Sequence, residues 1–151
     1  MRYVVALGSN LGNRLAKLES AIGSIGVFAD VQYVSSFIET DPVGGPAQPD
    51  YMNGVLIAES DLSPEEFLEK LHVIENEAGR TREVRWGART LDLDIILAGE
   101  IIQDDSKLTL PHPRAHLRSF VLQPWLEIEP SAVIPGKGSV KALLAALLAQ
   151  E

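Results

Sequence analysis

Asp92 and Asp94 stand two residues apart in Leu91-Asp92-Leu93-Asp94-Ile95-Ile96-Leu97, a run that opens by alternating apolar and acidic residues. In an extended strand, residues i and i+2 project from the same face. Both carboxylates therefore point one way, roughly 6–7 Å apart along the strand. Two ionised carboxylates at that spacing repel by about 2–3 kcal/mol at an effective dielectric near 20, unless something positive sits between them. Just upstream, Arg80, Arg82, Arg85 and Arg89 place four guanidiniums within a short segment. Carboxylates that can hold a divalent cation, beside guanidiniums that can hold phosphate, are the two halves of a Mg-nucleotide site. The chemistry such a site serves is phosphoryl-type transfer.

Three further groupings could contribute. Tyr51 and Asn53, again two apart, would face one way and offer a flat ring beside an amide with both donor and acceptor. That pair suits a planar heterocycle, stacked on the ring and hydrogen-bonded along its edge. Pro111-His112-Pro113-Arg114-Ala115-His116-Leu117-Arg118-Ser119-Phe120 adds two arginines, two histidines and an aromatic, with His112 rigidly held between prolines. Gly8-Ser9-Asn10-Leu11-Gly12 lies between a strand and a helix like a phosphate loop. It lacks both the Lys-Ser/Thr of a Walker loop and the spacing of a dinucleotide fingerprint, and reads as a tight turn with an Asn cap.

Composition narrows the ligand. The chain carries a net charge of −8, yet its arginines crowd between Arg80 and Arg118. Local positive charge in an acidic protein points to a small anionic ligand rather than a nucleic-acid surface. Cysteine is absent, which removes disulfides, thiolate metal sites and Cys nucleophiles, and fits a cytoplasmic location. His72, His112 and His116 are too few and wrongly spaced for a histidine-rich zinc site. No apolar run approaches the roughly 20 residues of a membrane span, and the N-terminus lacks signal-peptide architecture. A length of 151 residues suits one domain, 1–151, with a single core.

The elements that must position these groups follow from periodicity. Residues 2–7 predict a buried strand, followed by a helix with Leu15, Leu18, Ile22 and Ile25 on one stripe and Gly26 as its stop. Residues 31–39 predict a second strand, and residues 51–59 a third after the Pro/Gly-rich loop 41–50. Ser63, Pro64 and Glu66 carry the signature of a capping box, starting a helix whose stripe is Leu68, Leu71, Glu75 and Ala78, ended by Gly79. The Arg loop leads into a strand over 91–97, a short strand near Ile101-Ile102, a helix over 115–127 and a last helix over 139–150. This β-α-β-β-α-β order predicts an α+β, ferredoxin-like sandwich: a mainly antiparallel sheet with helices packed on one face. The loops at 41–50 and 79–90 are long enough to serve a site.

Along essentially its whole length the chain resembles the 6-hydroxymethyl-7,8-dihydropterin pyrophosphokinase family of folate biosynthesis. The resemblance is carried by Gly8-Ser9-Asn10-Leu11, by Gln48-Pro49-Asp50-Tyr51-Met52-Asn53, by Arg85-Trp86-Gly87-Ala88-Arg89-Thr90-Leu91-Asp92-Leu93-Asp94-Ile95 and by Leu110-Pro111-His112-Pro113-Arg114. It implies transfer of pyrophosphate from ATP to the pterin hydroxymethyl oxygen, releasing AMP. Asp92 and Asp94 would then hold two Mg²⁺ ions, with Arg80 and Arg89 making contacts that strengthen as phosphate charge shifts. Tyr51 and Phe120 would sandwich the pterin, Asn53 would read its edge, backbone groups near Thr40 and Val43 would complete the pocket, and Trp86 would cover it. Glu75, Arg82, Arg85, Lys107, Thr109, His112 and Arg118 would lie near ATP. Partners would be these small molecules alone, with no nucleic acid and no membrane, and the chain a monomer. Ala88 departs from a common family proline, and His72 from a glutamine.

Three other readings compete. A ferredoxin-like RNA-binding module needs a basic sheet face with exposed aromatics, against which the net charge and the acidic strand both stand. A two-metal phosphohydrolase would use the same Asp pair but has no need of a Tyr51/Asn53 acceptor pocket. A nucleotide-binding regulatory domain has no need of both the Asp pair and the Arg loop.

Overall fold

The structure, a computed structural model, describes residues 1–10, 12–40, 51–79 and 91–150. Its sheet is built around β1 (Arg2–Ser9), flanked by β4 (Tyr51–Glu59) and β5 (Asp92–Ala98), with β2 (Asp30–Val34) beyond β4. A short β3 (Ile38–Thr40) also pairs with β4, and every pairing is antiparallel. The single strand expected over 31–39 is thus two strands. At the break, the Ser35 N–H donates to the Val55 carbonyl (2.9 Å) and the Ser35 hydroxyl accepts from the Val55 N–H (2.9 Å). A side chain has replaced one rung of the ladder, so the chain can bend while its backbone groups stay satisfied. The Phe37 ring then lies against Gly54, where an added Cβ would come within 2.5 Å of it.

Helices α1 (Arg14–Ile25) and α2 (Pro64–Gly79) cover one face of the sheet. Asn13 caps α1, its side chain accepting from the Ala16 N–H (3.1 Å). The expected capping box opens α2: Ser63 N–H donates to Glu66 (3.0 Å) and Glu66 N–H to the Ser63 hydroxyl (3.2 Å). The buried stripe of α2 is Phe67, Leu71 and Ile74, rotated from the one expected, and Phe67 stacks on Tyr3 with centroids 3.9 Å apart. Leu18, Ala21 and Ile25 of α1 join them over Tyr3, Val5, Leu7, Leu56 and Ala58.

The opposite face is covered too, contrary to the expectation of helices on one face alone. Helices α3 (Ser119–Ile128) and α4 (Val140–Leu148) pack Val121, Leu122, Trp125 and Val140 onto Val4, Val55, Ile57 and Leu97. The physical reason lies in Tyr3-Val4-Val5 and Val55-Leu56-Ile57-Ala58. These are continuous apolar runs, the mark of strands buried on both faces rather than one.

Two more boundaries moved. The strand placed near Ile101-Ile102 is a hairpin of β6 (Gln103–Asp104) and β7 (Thr109–Leu110), turned by Asp105, whose side chain accepts from the Lys107 and Leu108 N–H groups (both 2.9 Å). The helix expected over 115–127 is a 3-10 turn (Ala115–Leu117) followed by α3, with Arg118 extended between them (φ −115°, ψ 101°). A small hairpin, β8 (Val133–Ile134) and β9 (Gly138–Ser139), then leads into α4, capped by Ser139.

One irregularity bears on the site. Val4 pairs with Leu97 but Val5 with Ile95, so Ile96 is an extra residue in β5. A bulge of this kind bends its strand and frees a backbone group from the ladder. The Ile96 carbonyl accepts the His112 N–H (2.9 Å), which ties the His112 segment to the strand that carries both aspartates.

Candidate active site

The cross-strand register builds the site directly. Asp92 of β5 stands opposite Gly8 of β1, which stands opposite Asn53 of β4; Asp94 stands opposite Ala6, which stands opposite Val55. Paired residues share a face, and Val55 belongs to the core under α3 and α4, so both aspartates and Asn53 project on that side. Between the acids of β5 and the polar groups of β4, β1 contributes only Ala6 and Gly8. That strip of small residues leaves a floor over which a flat ligand can lie.

Above it is a cavity of about 490 Å³ lined by Thr40, Tyr51, Asn53, Asp92, Asp94, Arg118 and Phe120 among others, a volume suited to a small-molecule ligand. These residues, expected to act together, come from four separate segments. The Asn53 side-chain amide donates to the Thr40 hydroxyl (2.5 Å), which turns its carbonyl oxygen toward Gly8. An added Cβ on Gly8 would sit 2.9 Å from that oxygen and 3.6 Å from the Tyr51 ring. Gly8→Ala is therefore expected to push the Asn53 amide out of place and weaken heterocycle binding about tenfold, the loss of one well-aligned hydrogen bond. Calorimetric titration checks this, and unchanged affinity would mean that Asn53 does not read the ligand. The Arg118 guanidinium lies over the Phe120 ring, 5.7 Å from its centroid, which preserves an aromatic wall with a cation beside it.

Other expected residues stand outside this lining. Glu75 reaches from α2 to the open edge of β5, where its carboxylate accepts the Leu93 N–H (2.8 Å). That contact explains the acid flanking an apolar stripe: it satisfies the edge N–H lying between Asp92 and Asp94 in sequence. Burial raises the Glu75 pKa against the lowering effect of the Leu93 N–H, and Asp92 and Asp94 add to the rise. His112 is shifted down, chiefly by burial, with Asp94 opposing and Arg118 and Arg114 reinforcing. Its Nδ1 accepts the Arg114 N–H (3.2 Å), leaving Nε2 to carry the proton of the neutral ring. Thr109, on β7, donates its hydroxyl to Asp104 (3.3 Å), and Lys107 is exposed at the hairpin turn. The expected roles of Val43, Arg80, Arg82, Arg85, Trp86 and Arg89 lie outside the described residues.

Among the described residues no third His, Cys, Asp or Glu gathers with Asp92 and Asp94 into a metal-binding group. Paired carboxylates on one face suit Mg²⁺, which keeps several waters and takes further ligands from phosphates. The cavity also has a floor of Ala6 and Gly8, to which no sequence motif assigns a role, and a contribution from Arg114, which the sequence offers as one of two arginines in the His112 segment. The signal for the floor was legible: alternate small residues in a strand otherwise rich in bulky ones.

The family model for 7,8-dihydro-6-hydroxymethylpterin-pyrophosphokinase (HPPK) matches residues 4–130. The chain belongs to this family. It is 43% identical over 142 residues to the 2-amino-4-hydroxy-6-hydroxymethyldihydropteridine pyrophosphokinase of Haemophilus influenzae, covering 93% of this chain and 89% of that one. The Bacillus subtilis enzyme of the same name is 47% identical over 126 residues, 82% of this chain and 75% of its own. Among solved structures, the wild-type HPPK-DHPS protein of Plasmodium falciparum superposes with a TM-score of 0.80 at 12% identity, covering 99% of this chain. At that identity the likeness shows the HPPK fold, and this chain spans 45% of the longer Plasmodium chain. No helix among the described residues is long and apolar enough to cross a membrane.

Proposed function

We infer that the chain carries out the reaction for which its family is named: pyrophosphoryl transfer from ATP to 6-hydroxymethyl-7,8-dihydropterin in folate biosynthesis, yielding AMP and the pterin diphosphate. The hydroxymethyl oxygen bonds to the β-phosphorus, the bond from that phosphorus to the α-phosphate oxygen breaks, and the hydroxyl loses its proton. The observation that supports this best is the meeting of Asp92 and Asp94 with Tyr51, Asn53 and Phe120 in one cavity. Groups suited to phosphate and groups suited to a heterocycle thus line one cavity, which supports this reading.

In this reading Tyr51 and Phe120 hold the pterin between them, and Asn53, oriented by Thr40, reads its edge. Asp92 and Asp94 would hold Mg²⁺, two ions by family resemblance. When bound, the metal supplies charge neutralisation and orients oxygens for in-line displacement. Arg80 and Arg89 stabilise charge as it shifts during transfer, a process that needs positioning more than covalent help. Glu75, Arg82, Arg85, Lys107, Thr109, His112 and Arg118 serve the nucleotide, and Val43 and Trp86 complete the pterin pocket. We further take the chain as one domain over 1–151, monomeric and cytoplasmic, with small molecules as its partners.

A phosphohydrolase would have no use for the ring-and-amide pocket, and a regulatory domain no use for paired carboxylates facing it. The test is incubation with Mg²⁺, ATP and the pterin alcohol, resolving adenine nucleotides by chromatography. AMP formed one-for-one with pterin diphosphate is the expected result. ADP with free phosphate would replace this reading with hydrolysis, and unchanged ATP in a folded sample would replace it with binding alone.

A further inference from the structure

The four described arginines divide into two kinds. Arg2 is paired with Glu129 (2.6 Å) and Arg14 with Glu39 (2.5 Å), each an ordinary surface ion pair. Arg114 and Arg118 both line the cavity, and neither has an ion-pair partner among the described residues. In a chain with net charge −8, two guanidiniums lining one cavity concentrate positive charge where an anionic ligand can meet it. They share that cavity with Asp92 and Asp94, so guanidiniums and carboxylates both face a ligand bound there.

The Arg114 backbone is held firmly for an exposed residue. Its N–H donates to His112 Nδ1 (3.2 Å) and its carbonyl accepts the Leu117 N–H (3.0 Å). The preceding His112 N–H is anchored on the bulge carbonyl of Ile96, two residues beyond Asp94, and the following Ala115 is fully buried. The exposed side chain thus extends from a backbone fixed relative to the aspartate strand. A guanidinium anchored there by its backbone has the planar donor fork that suits bidentate contact with phosphate oxygens.

We propose that Arg114 is a phosphate-contacting residue of this site, binding the anionic oxygens of the nucleotide triphosphate or of the diphosphate newly joined to the pterin. The proposal rests on the pyrophosphoryl-transfer reading above. Both ligands present the same chemistry, a chain of phosphate oxygens beside the aspartates, and binding experiments separate them.

Arg114→Ala and Arg114→Lys are titrated at equilibrium with three ligands: the Mg²⁺ complex of α,β-methylene ATP, the pterin diphosphate, and the uncharged pterin alcohol. The methylene bridge replaces the oxygen of the bond that breaks, so binding is read without turnover. Arg114→Ala is expected to weaken one or both anions about tenfold, the loss of a single charge-assisted contact. It should also flatten their salt dependence and leave the alcohol unchanged, with Arg114→Lys intermediate. Loss confined to the nucleotide assigns the contact to the triphosphate, and loss confined to the diphosphate assigns it to the product. The proposal is overturned if neither anion weakens, or if the alcohol weakens equally, which would make Arg114 a shaper of the cavity. Wild-type chain that binds neither anion would overturn the transfer reading as well. Wild type that binds both, with Arg114→Ala binding equally well, would overturn this proposal alone. The side chain is exposed and has no ion-pair partner among the described residues, so both variants should retain the parental melting temperature.

Discussion

Asp94→Ala is expected to lower turnover by about 10³-fold or more, since it removes one of the two carboxylates that line the cavity among the described residues. Stability should move the other way or not at all. Asp94 accepts no hydrogen bond from a described residue, its backbone stays paired with Ala6, and Asp92 and Glu75 both lie within electrostatic reach. Removing one charge from such a cluster relieves repulsion, as is common where a site is arranged for chemistry rather than for folding. Steady-state kinetics over a Mg²⁺ titration, with a melting curve on the same sample, reads both effects. A variant lacking both aspartates that still turned over with Mg²⁺ would end the assignment.

Arg89→Ala is expected to reduce turnover by about 10²–10³-fold, the size seen when one pre-organised donor to developing charge is lost, while pterin binding barely changes. Arg89 lies three positions before Asp92 in the chain, and the family resemblance assigns it to the same phosphates. The informative quantity is the split between turnover and the pterin dissociation constant. Equal losses in both would make Arg89 a wall of the pocket and leave charge stabilisation to other groups.

Local signals read well from sequence where a short-range rule was sufficient. The Ser63/Glu66 box formed both of its hydrogen bonds, and the two-residue spacing of Asp92 and Asp94 put them in one cavity, because strand geometry enforces it. Reading failed where a distant partner decided the outcome. Ser35 breaks the second strand because Val55, twenty residues on, supplies the partners, and nothing near Ser35 announces this. The stripe of α2 was placed on Leu68 and Glu75, whereas Tyr3 and Phe28 draw Phe67 inward. Glu75 looked anomalous because its partner is a backbone N–H on another element. The family resemblance gathered residues such as Tyr51 and Phe120 that spacing alone could never have brought together.

The sheet keeps the cavity on one of its faces and stacks Leu18, Ile25, Phe67 and Leu71 on the other. Lineages can therefore rewrite much of that second face without disturbing a substrate contact, provided its volume and patterning are kept. The HPPK fold is shared with a Plasmodium falciparum chain at 12% identity. Divergence should be slowest at Gly8, where a single added methyl group would crowd the Asn53 amide oxygen in the cavity.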